Sequence, residues 1–280
     1  MKKLNKNLAL ISTIILTQFN LSNTNAQEVG LQLYSLRNEF KTDVISTLDS
    51  IQSWGITKLE GGDTYGLPLE EFKKAISDRG MQVVSVGASY NDLQNNVYKV
   101  IKSAKDFGAT YVMCPWIPHN ENIFTIKETQ RAVEVFNKAG KVLKAEGIIL
   151  TYHPHGYEFR PYKEGTLFDY MAQNSKHFNF EMDVFWVKQG GVHPLSLLKK
   201  YPTKFLLMHL KDRAIGTVGN QNGRADVEAN VILGTGDVGI ADLVTEAKKL
   251  KIAYLFIEDE SSSVVQQIPK SLLYLNGLDN

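Results

Sequence analysis

Apolar residues fall along the chain in two alternating rhythms. Short runs rich in Val, Ile, Leu, Tyr and Phe each give way to a longer stretch in which apolar positions recur every three or four residues. The short runs predict eight strands, at Gly30–Tyr34, Ile56–Glu60, Gln82–Val86, Thr110–Cys114, Ile148–Tyr152, Asn179–Asp183, Phe205–His209 and Tyr254–Glu258. The stretches between them predict helices. Val44–Trp54 sets Val44, Leu48, Ile51 and Trp54 on one face, and Leu69–Ala75, Val97–Phe107, Ala132–Ala145 and Leu243–Leu250 repeat the pattern. Asp43 is placed to cap the first helix and Gly55 to end it, and Asn91 or Asp92 is placed to open the helix that closes at Phe107-Gly108.

Strand starts lie 26 to 49 residues apart, the spacing of βα units. Eight such units in about 250 residues have the size of an α/β protein folded as a single (β/α)8 TIM barrel. A doubly wound open sheet would more often carry a Gly-rich phosphate turn after its first strand. Here that strand runs into Gln32-Leu33-Tyr34-Ser35-Leu36-Arg37, which has no such turn. The one long irregular stretch, Arg213–Asn230, follows strand seven and reads as a lid or substrate loop at the C-terminal face.

The first 26 residues stand outside this rhythm. Lys2, Lys3 and Lys6 precede the apolar run Leu8–Phe19, and Thr24-Asn25-Ala26 supplies small residues for cleavage. The run is shorter than the ~20 residues that span a bilayer. We therefore read 1–26 as a signal peptide and 27–280 as the barrel, which predicts export to a bacterial periplasm and no membrane association after cleavage. Cleavage leaves 28 basic against 30 acidic residues, a balance that argues against a nucleic-acid partner. A single cysteine, Cys114, excludes an internal disulfide and any multi-cysteine metal site.

Barrel enzymes draw their chemistry from the C-terminal ends of several strands. In this chain those ends are strongly polar. Asp183, His209 and Glu258 close strands six, seven and eight, so the fold would converge them at the barrel mouth. One imidazole among carboxylates suits a divalent ion: Mn²⁺, Mg²⁺, Co²⁺, Fe²⁺ or Zn²⁺. The segment after strand five, Tyr152-His153-Pro154-His155-Gly156-Tyr157-Glu158, offers three groups for a fourth position. Glu158 completes an oxygen-rich set, His153 is the alternative ligand, and His155 is better placed for substrate. Lys211, two residues past His209, points the same way as His209 and can polarise a substrate oxygen, or else pairs with Asp212 at the surface. Gln32, Tyr34 and Glu60 on the opposite wall are candidates for binding hydroxyls, and Trp116 and Trp186 for stacking on a sugar ring.

These residues carry a resemblance. YHPHGYEF at 152–159, NFEMDVFW at 179–186, HLKD at 209–212, LGTGDVG at 233–239 and IEDESSS at 257–263 resemble the sugar phosphate isomerase/epimerase family, whose barrel is xylose isomerase-like. The likeness runs from GLQLYSLR at Gly30–Arg37 to the end of the chain and extends to inosose dehydratases and 3-keto-glycoside lyases. The family pattern YHNHxxEF departs here only at Pro154, and VSVGASY at 84–90 lacks a histidine common after strand three. The resemblance implies a divalent metal held by Glu158, Asp183, His209 and Glu258. It also implies proton abstraction next to a carbonyl through a metal-stabilised enediolate. For that step the residues themselves offer Glu258, His153 or His155 as base and Lys211 to polarise an oxygen. The outcome would be isomerisation or epimerisation of a keto or aldo sugar, or β-elimination from a 3-keto-glycoside. A non-catalytic periplasmic carbohydrate-binding protein and a metal-dependent nuclease are the readings from other classes. The second needs further ligands and a basic groove that the sequence does not supply. The apolar segment SSSVVQQIPKSLLYL after strand eight is either a barrel-closing helix or a docking helix for a homo-oligomer.

Overall fold

The computed structural model describes residues 28–120 and 122–278, so the expected signal peptide lies outside the described residues. Eight parallel strands close into a barrel in sequence order. They are β1 (Glu28–Gln32), β2 (Lys58–Gly61), β3 (Gln82–Gly87), β4 (Tyr111–Cys114), β5 (Ile149–Tyr152), β6 (Asn179–Asp183), β7 (Phe205–Leu210) and β8 (Tyr254–Ile257). Closure comes from β1, which pairs with β8 (Leu31 opposite Ile257) and with β2 (Gln32 opposite Glu60). Each strand leads to an outer helix: α1 (Val44–Ser53), α2 (Leu69–Asp78), α3 (Val97–Phe107), α4 (Ile126–Ala145), α5 (Leu167–Asn174), α6 (Pro194–Lys200), α7 (Ile240–Leu250) and α8 (Val264–Gly277).

The helix signals hold in detail. Asp43 accepts the Ser46 amide at 3.0 Å, and Gly55 follows the last turn of α1 at φ +78°. Before α3 the structure differs from the expectation of one helix opening at Asn91 or Asp92. A separate short helix, Tyr90–Asn95, is capped by Ser89, and Asn96 then breaks the backbone at φ −150° before Val97 restarts it. The first strand also stops earlier than its apolar run. The Gln32 side chain accepts the Tyr34 amide at 3.0 Å, which turns 33–36 into a 3-10 helix. Helix α8 closes the barrel, burying Val264, Ile268 and Leu275.

The main core lies between strands and helices. Inside the barrel the alternation of strand side chains builds layers. Val84, Leu207 and Phe256 form an apolar floor. Gly30 makes room for it, because a Cβ there would lie 2.6 Å from the Lys58 carbonyl and 2.7 Å from the Phe256 ring. Two residues further along the strands the inward positions turn polar: Gln32, Glu60, Glu181, Asp183 and His209 are all buried. Register places Asp183 beside His209 on the neighbouring strand, level with Phe256 on the next.

Candidate metal centre

Four side chains from four successive strand ends converge above that floor. His153 follows β5, Asp183 ends β6, His209 lies near the end of β7 and Glu258 follows β8. Asp183 Oδ1 accepts the Trp186 amide at 3.0 Å, capping the short helix Val184–Gln189. That bond leaves Oδ2 facing inward, 3.3 Å from His153 Nε2 and 3.8 Å from His209 Nδ1. His209 Nδ1 in turn lies 2.9 Å from Glu258 Oε2. One ligand atom from each of the four lies within 4.8 Å of the others.

These atoms fit a divalent cation. Asp183 Oδ2, His209 Nδ1, Glu258 Oε2 and both His153 ring nitrogens are buried without an aligned hydrogen-bond partner. Buried polar groups are normally satisfied, so such a convergence needs an explanation. Bonds of ~2.1 Å hold tetrahedral or adjacent octahedral ligand atoms about 3.0 to 3.4 Å apart, close to the 2.9 and 3.3 Å spacings and shorter than the 3.8 Å between Asp183 and His209. The charges agree as well. Burial pushes Asp183 up, but the neighbouring His153 and His209 rings and the charge of Lys211 outweigh it, holding the carboxyl well below its usual range. Burial likewise raises Glu258, yet Lys211 and His209 bring it down to about 2. Both carboxylates are therefore ready anions.

Glu158, the preferred fourth ligand from sequence, does not join this set. Gly156 turns the chain back at φ +96°, and the Glu158 carboxylate is bonded to the Tyr152 hydroxyl and accepts the His155 amide at 3.1 Å. His153 occupies the β5 position instead. Glu158 fastens the loop that carries both histidines, and burial pushes its carboxyl up to about 7. Glu60 is the second correction. It was expected to bind a substrate hydroxyl, but it is fully buried, accepting Gln32 Nε2 at 2.6 Å and lying 2.6 Å from His209 Nε2. Glu181 is a buried residue that sequence reasoning passed over. It stands two positions before Asp183, so strand alternation already turned it to the same interior. Burial and the charge of Glu60 push its carboxyl up to about 8.

A cavity of about 1580 Å³ opens over the cluster, with His153, His209 and Glu258 in its floor and Gln32, Tyr34 and His155 also lining it. His155 stacks on His153 at 4.5 Å and meets the Trp186 ring at 5.0 Å. Burial and His153 depress its pKa to about 3, so its ring is neutral. Trp116 and Trp186 both reach the cavity, Trp116 the more exposed. Tyr34 stands at the rim, 54% exposed, with the Arg37 guanidinium 4.5 Å over its ring.

Lys211 is buried, not a surface residue paired with Asp212. Its Nζ lies 2.5 Å from Glu260 Oε1 and 3.7 Å from Glu258 Oε2. Burial lowers its pKa, but those two carboxylates more than reverse the effect and keep it cationic. Asp212 instead organises the LGTGDVG segment, accepting the amides of Gly234 and Gly236 at 2.9 Å and Val238 at 3.2 Å. The stretch expected as a lid crosses the cavity mouth through Gly223, Arg224, Ala225 and Val227. Gln221 pins it, donating to the carbonyls of Phe159 and Gly190 at 3.1 and 3.0 Å.

The family described as a xylose isomerase-like TIM barrel matches residues 48–277. The chain belongs to that family. Solved structures share the barrel. A sugar phosphate isomerase/epimerase from Parabacteroides distasonis is 24% identical, with 90% of this chain and 94% of that one covered at a TM-score of 0.74. An IolI protein solved with a zinc atom is 11% identical, with 90% and 96% covered at a TM-score of 0.65. The 3-keto-D-glucoside 4-epimerase YcjR from E. coli, in its apo form, is 15% identical, with 90% and 99% covered at 0.66. At these identities the likeness is one of fold. A search among curated proteins gives no match.

Proposed function

We propose that this member of the xylose isomerase-like family is a divalent-metal-dependent enzyme that isomerises or epimerises a keto or aldo sugar by moving a proton on a carbon next to a carbonyl. The observation that carries the reading is the convergence of His153, Asp183, His209 and Glu258, with five of their ligand atoms buried and unpartnered. A divalent cation bound there supplies positive charge that favours ionisation of such a C–H bond.

The chain's own groups supply the rest. His155 lines the cavity beside His153 with Nδ1 against the His153 carbonyl at 3.3 Å, which leaves Nε2 as the ring nitrogen to take or return a proton. Lys211, held by Glu260, keeps Glu258 ionised and places a fixed positive charge 3.7 Å from its carboxylate. Trp116 and Trp186 give apolar faces to a ring, and the pinned loop over the mouth limits the access of water. A proton returned to the opposite face of the same carbon gives an epimer, and one returned to the neighbouring carbon gives an isomer.

A second reading, β-elimination from a 3-keto-glycoside, is favoured by the cavity volume of about 1580 Å³, which exceeds the ~300–1,000 Å³ common for small-molecule sites and leaves room for a glycosidic substituent. Loss of a leaving group from the carbon next to the ionised one separates it from the first. The signal-like residues 1–26 support a periplasmic location. The test is to strip the chain from Gln27 with EDTA, restore Mn²⁺ or Zn²⁺, and follow free ketoses and 3-keto-glucosides in D₂O. Metal-dependent deuterium uptake next to the carbonyl supports the reading, and the product names the branch. Sugar binding without exchange, in the presence of bound metal, would make the chain a binding protein.

A further inference from the structure

Beneath the four ligand atoms lies a second set of polar side chains, of which Glu60 and Glu181 do not line the cavity. Glu60, Glu181 and His209 are each fully buried, and they meet at the Nε2 edge of the His209 ring, the edge turned away from Asp183 and Glu258. Glu60 Oε1 lies 2.6 Å from Nε2 and Glu181 Oε1 lies 3.2 Å from it. Glu60 stands on β2 and His209 on β7, so this contact crosses the barrel. Gln32, the register neighbour of Glu60 on β1, donates its Nε2 to the same Glu60 oxygen at 2.6 Å.

The two ring nitrogens of His209 therefore face different surroundings. Once a cation takes one ring nitrogen, the imidazole keeps a single N–H, on the other. With the Glu60 carboxylate 2.6 Å from Nε2, the proton belongs there. Moving it to Nδ1 would turn a lone pair towards the Glu60 oxygen in a buried interior. It would also block the nitrogen that faces Asp183 Oδ2 and Glu258 Oε2. We infer that Glu60, oriented by Gln32, is the positioning residue that holds Nε2–H of His209 inward and leaves Nδ1 free for a divalent cation.

The inference rests on the metal reading above and adds a determinant of its affinity on the far side of the barrel. A cation lodged between Glu60, Glu181 and Nε2 themselves is the competing use of the cluster. The 2.6 Å separation opposes it, because two ligands at ~2.1 Å from one ion lie about 3.0 Å or more apart.

The test uses the full mature chain and Zn²⁺ alone. Long-range ¹H–¹⁵N spectra of the zinc-loaded wild type, assigned with His209→Gln, are expected to show His209 protonated at Nε2 and bound through Nδ1, at one ion per chain. Chelator competition should show Glu60→Ala binding Zn²⁺ about 10- to 100-fold more weakly. Glu60→Gln keeps an acceptor oxygen and should fall within about threefold of wild type. Coordination through Nε2, a second ion per chain, or wild-type affinity in Glu60→Ala would each overturn the assignment. If Glu60→Ala does not fold, the wild-type ring spectrum decides. A wild type that binds no ion removes the metal-enzyme reading itself, whereas binding indifferent to Glu60 removes only this one.

Discussion

The loop after β5 should make the protein less stable as pH rises, through one carboxyl group. Glu158 is fully buried, and burial raises its pKa from 4.5 to about 7. In the unfolded chain it titrates near 4.5, so the native state holds its proton more tightly. The favourable contribution is fully present below about pH 4.5 and is lost as pH rises through about 7. A shift of roughly 2.5 units at 1.36 kcal/mol each corresponds to about 3 kcal/mol. Glu158→Gln keeps the shape and an oxygen for the Tyr152 hydroxyl but carries no proton to lose. Urea unfolding of both proteins at pH 5 and pH 8.5 isolates the effect, because the other titrating groups are common to both. The unfolded carboxyl is already partly ionised at pH 5, so the stability of Glu158→Gln relative to wild type should rise by about 2.5 kcal/mol between the two pH values, or roughly 5 to 10 °C in Tm for a chain of this size. A difference that does not change with pH would refute the reasoning and mean that the carboxyl titrates normally.

Other predictions follow from the same geometry. His153→Ala and Asp183→Asn should each lower Zn²⁺ affinity at least about tenfold, while Glu158→Gln retains it; calorimetry on the three variants checks which residue is the β5 ligand. Gly30→Ala should destabilise the barrel by about 2 kcal/mol or more, measured by denaturant unfolding, because its methyl would meet both the Lys58 carbonyl and the Phe256 ring. Cys114, fully buried with its thiol pushed up to about 12 by burial, should react with a thiol reagent only after denaturation, which absorbance of the released chromophore would show.

The barrel was legible because each βα unit repeats a local signal. All eight strands sit where the apolar runs stand, shifted by a few residues at most. Caps such as Asp43 and Gly55 act within one turn and so can be read from neighbours in the chain. The strand-end residues Asp183, His209 and Glu258 were legible for a related reason: closure fixes neighbouring strand ends side by side whatever the loops do. Glu158 was not, because it lies six residues past Tyr152 and its direction depends on the left-handed turn at Gly156. Glu60 was located correctly along its strand but assigned the wrong depth. Strand position fixes the inward direction, whereas reach across the lumen depends on which side chain lies opposite, and here that is His209.

Depth within the lumen also explains why so many ionisable groups share one interior. The apolar floor of Val84, Leu207 and Phe256 closes the barrel from below, so the polar layer above it is shielded from solvent on that side. Unpaired charge in such a place is costly, and each group present offsets another. Lys211 stands by Glu258 and Glu260, His209 bridges the carboxylates on its two edges, and Gln32 holds Glu60. At the level of Asp183 the interior still carries two anions, two imidazoles and several buried atoms without partners, all turned towards one point. The strand ends that build this point are those the barrel presents to a substrate.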